Sequence, residues 1–468
     1  GACLIGLCIF GIRGRTGYNP IKVSAAYFCQ DAFLNQLGVS PTFNLLTSVM
    51  DDMRPENKYL HLMDEQEAIT KAQALLNRPG DANVSPLAVY RRAAKADSVQ
   101  QRRPNVVLIM MESMSAKFMK HFGQSETLTP FLDSLYTRSI SFRNFYSAGI
   151  HTNHGLYATL YSFPAMMKRN LMKGSVIPRY SGLPTVLKEN GYYNLFFMTH
   201  EGQYDNMNAF FRTNGYDEVF SQEDYPADKV VNSFGVQDDF LYDYAIPVLN
   251  QRAATGQPFF ATLLSISNHP PYVIPPFFHP KTSEPEMQIV EYADWALRQF
   301  FEEARKQPWF DNTIFVLEGD HGKLVGDAEC ELPESYNHIP LMIYSNRIQP
   351  EEKTAFGGQV DIQPTILGLL NIDYLQNNFG VDLLKEERPC MFYTADNMVV
   401  GRNDTLLYLY NYETQQELTY DIGNGKLNAV PMDDSFLPLK EYSFSMLQSA
   451  EFLVKHGKTL NSIPFTQQ

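Results

Sequence analysis

Residues 105–113 read NVVLIMMES, an unbroken apolar run over 106–111 that ends on the carboxylate of Glu112. A strand with one wet face would alternate apolar and polar residues. A continuous short run instead marks a parallel strand buried on both faces. The same texture recurs at NLFFMT (194–199), FFATLLSIS (259–267), TIFVLEG (313–319) and IPLMIY (339–344). Between these runs lie segments with helical spacing: TPFLDSLYTRS, LPTVLKENG, VQDDFLYDYAIPVLNQ and EYADWALRQFFEEARKQ. Strands alternating with helices predict an α/β fold, a mostly parallel sheet sandwiched by helices, over residues 104–384.

Outward from this block the texture changes on both sides. Residues 385–468 begin with short β-rich runs broken by Asn, Asp and Gly, which predict an antiparallel subdomain closed by a helix within DSFLPLKEYSFSMLQSAEFLVKHG. Residues 11–103 carry apolar residues at helical spacing and no catalytic pattern, and read as a helical connecting arm ending near RRPN, 102–105. Residues 3–10, CLIGLCIF, are too short to cross a bilayer, which takes about 20 residues. With basic residues following, stretch 1–10 reads as the end of a membrane helix rather than as a buried local element.

The chain has 468 residues and a formal net charge of −14, with no basic stripe to neutralise phosphates, which argues against nucleic acid. Its five cysteines show no C-x-x-C spacing, so neither a zinc ribbon nor a disulfide scaffold is expected.

In open α/β sheets ligands bind beyond the carboxyl ends of the strands, so polar residues there are the ones to weigh. VVLIMM runs into Glu112, and TIFVLEG runs into Asp320-His321-Gly322. A carboxylate plus an Asp-His pair suits Mn²⁺, Mg²⁺ or Zn²⁺, although an acidic residue at a strand end also commonly caps the next helix. GIHTNHG, 149–155, sets Thr152 ahead of a helical pattern. There it is either an ordinary N-cap or a nucleophile whose hydroxyl is activated by a metal. His269 in SNHPPY and His200 closing NLFFMTH also sit at strand ends, as turn residues or as substrate contacts.

With those residues in place, the chain resembles the lipoteichoic acid synthase/phosphoglycerol transferase branch of the sulfatase/alkaline-phosphatase superfamily. PNVVLIMMES, TPFLDSL, the Thr152 segment, NGYYNLFFMTHEG, LLSISNHPPY, FVLEGDHG, HIPLMIY and VDIQPTILGLL carry the resemblance, with ELTYDIGN similar to the closing motif. It implies that Glu112, Thr152, Asp320 and His321 hold one divalent metal ion, usually Mn²⁺ or Mg²⁺, and that Thr152 is also the nucleophile. His269 and His200 become head-group contacts, with His154 and Asp205 beside them. The family places a Trp and an Arg just after the second histidine, whereas Asp205 and Met207 stand there in this chain. The implied reaction moves phosphoglycerol, or a similar phospho-head-group, from a phospholipid donor to a cell-envelope glycan or lipid acceptor. It implies a membrane tether and an extracytoplasmic catalytic domain. The alternatives are a phosphoethanolamine transferase, a sulfatase-like phosphodiesterase or hydrolase, and a non-catalytic membrane-tethered binding protein. A true sulfatase would need a C/S-x-P-x-R motif, and the nearest string, starting at Ser162, lacks its arginine.

Overall fold

A computed structural model describes residues 2–15, 20–29, 32–54, 58–77, 90–93, 103–174 and 177–461. Four helices come first: α1 (Ala2–Arg13), α2 (Ala32–Leu37), α3 (Pro41–Asp52) and α4 (Glu65–Leu76), followed by a short strand β1 (Tyr90–Ala93). The central sheet contains β2 (Asn105–Met111), β3 (Ile140–Tyr146), β4 (Tyr193–Met198), β5 (Glu218–Phe220), β6 (Phe259–Leu264), β7 (Thr313–Gly319), β8 (Leu341–Tyr344) and β9 (Glu351–Gly358). Its order is β5-β4-β6-β2-β7-β8-β3-β9, parallel except for β8, which runs antiparallel to both β7 and β3. The expected α/β sandwich is therefore present.

Burial explains why the central strands read as unbroken apolar runs. In β2, Val106, Leu108 and Met110 enter one core, while Val107, Ile109 and Met111 enter the other. Val106 through Met110 have no exposed surface, so both faces of the strand lie under helices. Each such side chain contributes about 1.5–3 kcal/mol relative to exposure. The layers above and below come from α5 (Pro130–Tyr136), α6 (Thr152–Tyr161), α7 (Leu183–Glu189), α8 (Met207–Thr213), α9 (Asp238–Ala253), α10 (Pro285–Ala304) and α11 (Ile362–Leu369).

Beyond β10 (Tyr374–Asn377), a separate antiparallel sheet runs in sequence order through β11 (Met391–Thr394), β12 (Met398–Arg402), β13 (Leu406–Asn411), β14 (Gln416–Asp421) and β15 (Asn428–Ala429). Helix α12 (Leu437–Lys455) packs across it.

The helical reading of residues 11–103 misses one element. Strand β1 pairs antiparallel with β10, Tyr90 opposite Asn377 through Ala93 opposite Tyr374. So short a strand, lacking an apolar run, gives no periodic signal, and its partner lies almost 300 residues away. Residues 78–89 and 94–102, including Arg102 of the RRPN segment, lie outside the described residues, as does Gly1. Among the described residues no helix is long and apolar enough to cross a membrane. Helix α1 spans 12 residues, with Leu4, Ile5, Leu7, Ile9, Phe10 and Ile12 exposed.

Candidate active site

The carboxyl ends of β2, β3, β4, β6 and β7 all open on one edge of the sheet, because β3 and β7 both run opposite to β8. Glu112 leaves β2 fully buried, its N–H donating to Ser265 Oγ at 3.0 Å. Asp320 leaves β7, also fully buried, and its Oδ1 accepts from the N–H groups of Ser113 at 2.8 Å and of His321 at 2.7 Å. Ser113 adopts a left-handed backbone, φ 50°, which turns its N–H toward Asp320 and lets its hydroxyl donate to Glu112 Oε1 at 2.6 Å.

Ligand atoms of Glu112, Asp320 and His321 lie within 4.8 Å of one another. His321 Nδ1 faces the Gly322 carbonyl at 2.7 Å, a geometry that makes it the N–H donor. The Nε2 lone pair is thereby left toward the carboxylates, 3.6 Å from Asp320 Oδ2 and 3.8 Å from Glu112 Oε1. Among the described residues Asp320 Oδ2 has no hydrogen-bond partner, although it is buried. Two carboxylates and an imidazole nitrogen converging with one orphaned oxygen form a donor set that fits a divalent cation. Electrostatics agree. Burial and then the Glu112 charge push the Asp320 carboxyl well above its usual range. For His321 burial works downward, but Asp320 and Glu112 outweigh it and raise the imidazole's pKa.

Thr152 is the first residue of α6, and its Oγ1 donates to Glu112 Oε2 at 3.3 Å. The helix reaches this close because of Gly155, where a Cβ would sit 2.3 Å from the Asp320 carbonyl oxygen. Gln359 ties the same corner together, accepting from Ala148 N–H at 2.9 Å and donating to Asp320 O at 2.7 Å. The antiparallel subdomain holds the approach to Thr152 from the other side. Thr394 N–H donates to Ala148 O at 2.9 Å, and Asp396 pairs with His151 at 2.6 Å.

The expected substrate residues divide. His200 is buried at the end of β4, Nδ1 to Glu201 O at 3.1 Å, and its pKa is lowered by burial. His269 follows β6 with its ring 4.0 Å from that of Phe234. Asp205 takes a left-handed backbone, accepts from Asn153 Nδ2 at 3.3 Å and pairs with Lys173 at 3.1 Å. His154, expected to touch substrate, has no exposed surface. As the third residue of α6 it points inward, where burial drives its pKa down to about 3.

Three residues that sequence reasoning passed over belong to this pocket: Ser113, Asn268 and Lys323. Asn268 Nδ2 donates to Ser113 O at 3.1 Å, and Lys323 Nζ donates to Asn268 Oδ1 at 2.7 Å and Tyr272 Oη at 3.1 Å. Burial lowers the Lys323 ammonium to about 8. Their only sequence signal is adjacency, one residue before His269 and two after His321.

This architecture matches known proteins. The sulfatase family model matches residues 104–372, more than half of the chain. The chain belongs to the sulfatase family. This sulfatase-family enzyme is 25% identical over 350 residues to lipoteichoic acid synthase 1 of Bacillus subtilis, covering 69% of this chain and 53% of that one. It is 24% identical over 315 residues to lipoteichoic acid synthase 2 of the same organism, covering 60% and 47%. The chain thus spans about half the length of the curated relatives it matches. Among solved structures, an alkaline phosphatase superfamily protein from Vibrio parahaemolyticus superposes with a TM-score of 0.77 at 26% identity, covering 87% of this chain and 100% of that one. The lipoteichoic acid synthase LtaP from Listeria monocytogenes shares the fold, with a TM-score of 0.66 at 21% identity over 76% and 93% of the two chains. Similarity therefore places the chain in the lipoteichoic-acid-synthase-like branch.

Proposed function

We propose that this enzyme transfers phosphoglycerol, or a closely similar phospho-head-group, from a phospholipid to an acceptor hydroxyl through a phospho-threonine at Thr152. One observation carries the reading. The Thr152 hydroxyl stands 3.3 Å from Glu112 at the edge of a Glu112–Asp320–His321 cluster whose buried Asp320 Oδ2 has no partner among the described residues.

In the first step Thr152 Oγ1 attacks phosphorus, and the bond from phosphorus to the diacylglycerol oxygen breaks. The Thr152 proton starts directed at Glu112 Oε2, and the departing diacylglycerol takes up a proton to leave as an alcohol. In the second step an acceptor hydroxyl attacks the same phosphorus, the phosphorus–Oγ1 bond breaks, and the proton lost by the acceptor restores the Thr152 hydroxyl. Glu112, Asp320, His321 and Thr152 would hold the divalent ion, Mn²⁺ or Mg²⁺ by resemblance with Zn²⁺ as the alternative. When bound, it would stabilise charge on the phosphoryl oxygens and lower the pKa of the threonine hydroxyl. His269 and His200 would contact the head group. Lys323, held by Asn268 and Tyr272, supplies positive charge near Glu112 that would help offset the charge of a phosphate.

The relatives' name, lipoteichoic acid synthase, favours a cell-envelope acceptor, and the family resemblance favours a lipid donor and a catalytic part outside the cytoplasm, tethered to the membrane. Intact mass after incubation with Mn²⁺ and mixed phosphatidylglycerol and phosphatidylethanolamine tests the proposal. A head-group adduct present in wild type and absent in Thr152→Ala names nucleophile and donor together. Lipid turnover at the wild-type rate in Thr152→Ala would refute it.

A further inference from the structure

Arg15 and segment 20–27 grip the loop that follows His200. Arg15 pairs with Glu201, Lys22 N–H donates to Gln203 Oε1 at 2.9 Å, and Asn208 Nδ2 donates to Tyr27 O at 2.7 Å. Between segment 20–27, α3 and the residues Lys173, Gly174 and Ile177 lies a cavity of about 330 Å³. Its described lining combines three cations, Lys22, Arg54 and Lys173, with the apolar Phe43, Met50 and Ile177. The cations crowd one another. Partial burial and then Lys173 lower the Lys22 ammonium, Arg54 adds to this, and Asp205 and Glu201 offset part of it.

Helix α3 gives the cavity a second character. Asn44, Thr47 and Ser48 face the cavity, whereas Leu45, Leu46 and Val49 are exposed on the helix's outer side, with Met53 exposed just beyond its end. In a chain of net charge −14, a basic pocket opening beside a contiguous apolar helix face is unusual local chemistry. An anion alone would use the cations and leave the apolar face to water. A phospholipid uses both, phosphate against the cations and acyl chains along α3.

We propose that this cavity is a second phospholipid site, holding an anionic lipid head group beside the reaction centre while α3 lies in the lipid surface. It rests on the reading that the substrate is a phospholipid, and adds a place where lipid is held before or apart from chemistry. The cavity adjoins the centre through Lys173, whose partner Asp205 accepts from Asn153, the neighbour of Thr152.

Co-sedimentation of the full chain with vesicles of phosphatidylglycerol or phosphatidylcholine tests it, in wild type, Thr152→Ala, Lys22→Gln/Arg54→Gln and Leu46→Asp. Wild type and Thr152→Ala should bind phosphatidylglycerol vesicles in preference to phosphatidylcholine. The double variant should bind about 30-fold more weakly, the effect of removing two basic residues at an anionic surface. Leu46→Asp should also weaken binding, and neither variant should change the melting temperature, since all three positions are at the surface. Equal binding to both lipids, or an unaffected double variant, overturns the site. Tight binding of free glycerol phosphate that is lost in the double variant, without vesicle preference, overturns the lipid as its source. Intact vesicle binding with no Thr152 adduct would sink the transfer reading instead and leave this pocket standing.

Discussion

Gly155→Ala should disable the centre without touching any ligand or the nucleophile. The added Cβ would lie 2.3 Å from Asp320 O and 3.0 Å from Gln359 Nε2. That is about 1 Å short of a tolerable contact, and the first obstacle is backbone rather than a movable side chain. Relief requires α6 and the β7 end to separate by about that distance. Such a shift would stretch both the 2.7 Å bond from Gln359 to Asp320 O and the 3.3 Å approach of Thr152 to Glu112. Overpacking of this kind costs about 1–3 kcal/mol of stability, and a displacement of about 1 Å at reacting atoms costs about a hundredfold in rate. The assay is adduct formation at Thr152 followed by intact mass over time, beside a thermal melt and Mn²⁺ titration. Expected are a folded protein with a slightly lowered melting temperature and a rate near 1% of wild type. A variant forming adduct at the wild-type rate would refute the claim that α6 is held against β7 by the absence of a side chain.

Asp320→Asn should leave the metal-free protein no less stable, because Asn Oδ1 can still accept from Ser113 and His321 while a charge beside Glu112 is removed. It should also abolish the stabilisation that Mn²⁺ is expected to give wild type in scanning calorimetry, about 2.7 kcal/mol at a hundred times Kd. Asp294 accepts from Phe131 and Leu132 N–H groups at 2.9 Å, and burial raises its pKa to about 7. Between about pH 4 and 7 the folded state therefore binds the extra proton, and stability falls as pH rises, by up to about 4 kcal/mol for this group. Denaturant titrations across that range should show the slope in wild type and a flatter one in Asp294→Asn. Arg388 donates to Asp361 at 2.9 Å and to Tyr442 at 2.7 Å in a fully buried pair, so Arg388→Met should cost about 3 kcal/mol by urea unfolding.

The central strands were legible because burial on both faces leaves an unmistakable apolar run, and Glu112 and Asp320 were legible because each ends such a run. Thr152 could be weighed only with the metal cluster, since a threonine opening a helix is otherwise ordinary. For His154, proximity in sequence to Thr152 says nothing about the direction of its side chain. Two places further along α6 the chain has turned inward. Ser113, Asn268 and Lys323 were invisible for a different reason. Their roles arise from contacts between strand ends more than 50 residues apart, and no local pattern encodes such a contact. The β1–β10 pair escaped notice on the same grounds.

Helices α4 and α12 bury one another. Ala68, Ile69, Ala72 and Leu76 have essentially no exposed surface, Gln448 accepts from Leu62 N–H at 2.7 Å, and Lys455 meets Glu65 at 2.8 Å. Two segments far apart in sequence thus share a single seam, and neither can fray while the other stays in place. In hydrogen exchange the amides of both helices should lose protection together, as one cooperative unit. Since α12 also roofs the antiparallel sheet whose Asp396 holds His151, opening the seam loosens the approach to the nucleophile from behind. The seam works as a fastener, and the catalytic edge keeps its shape only while it is closed.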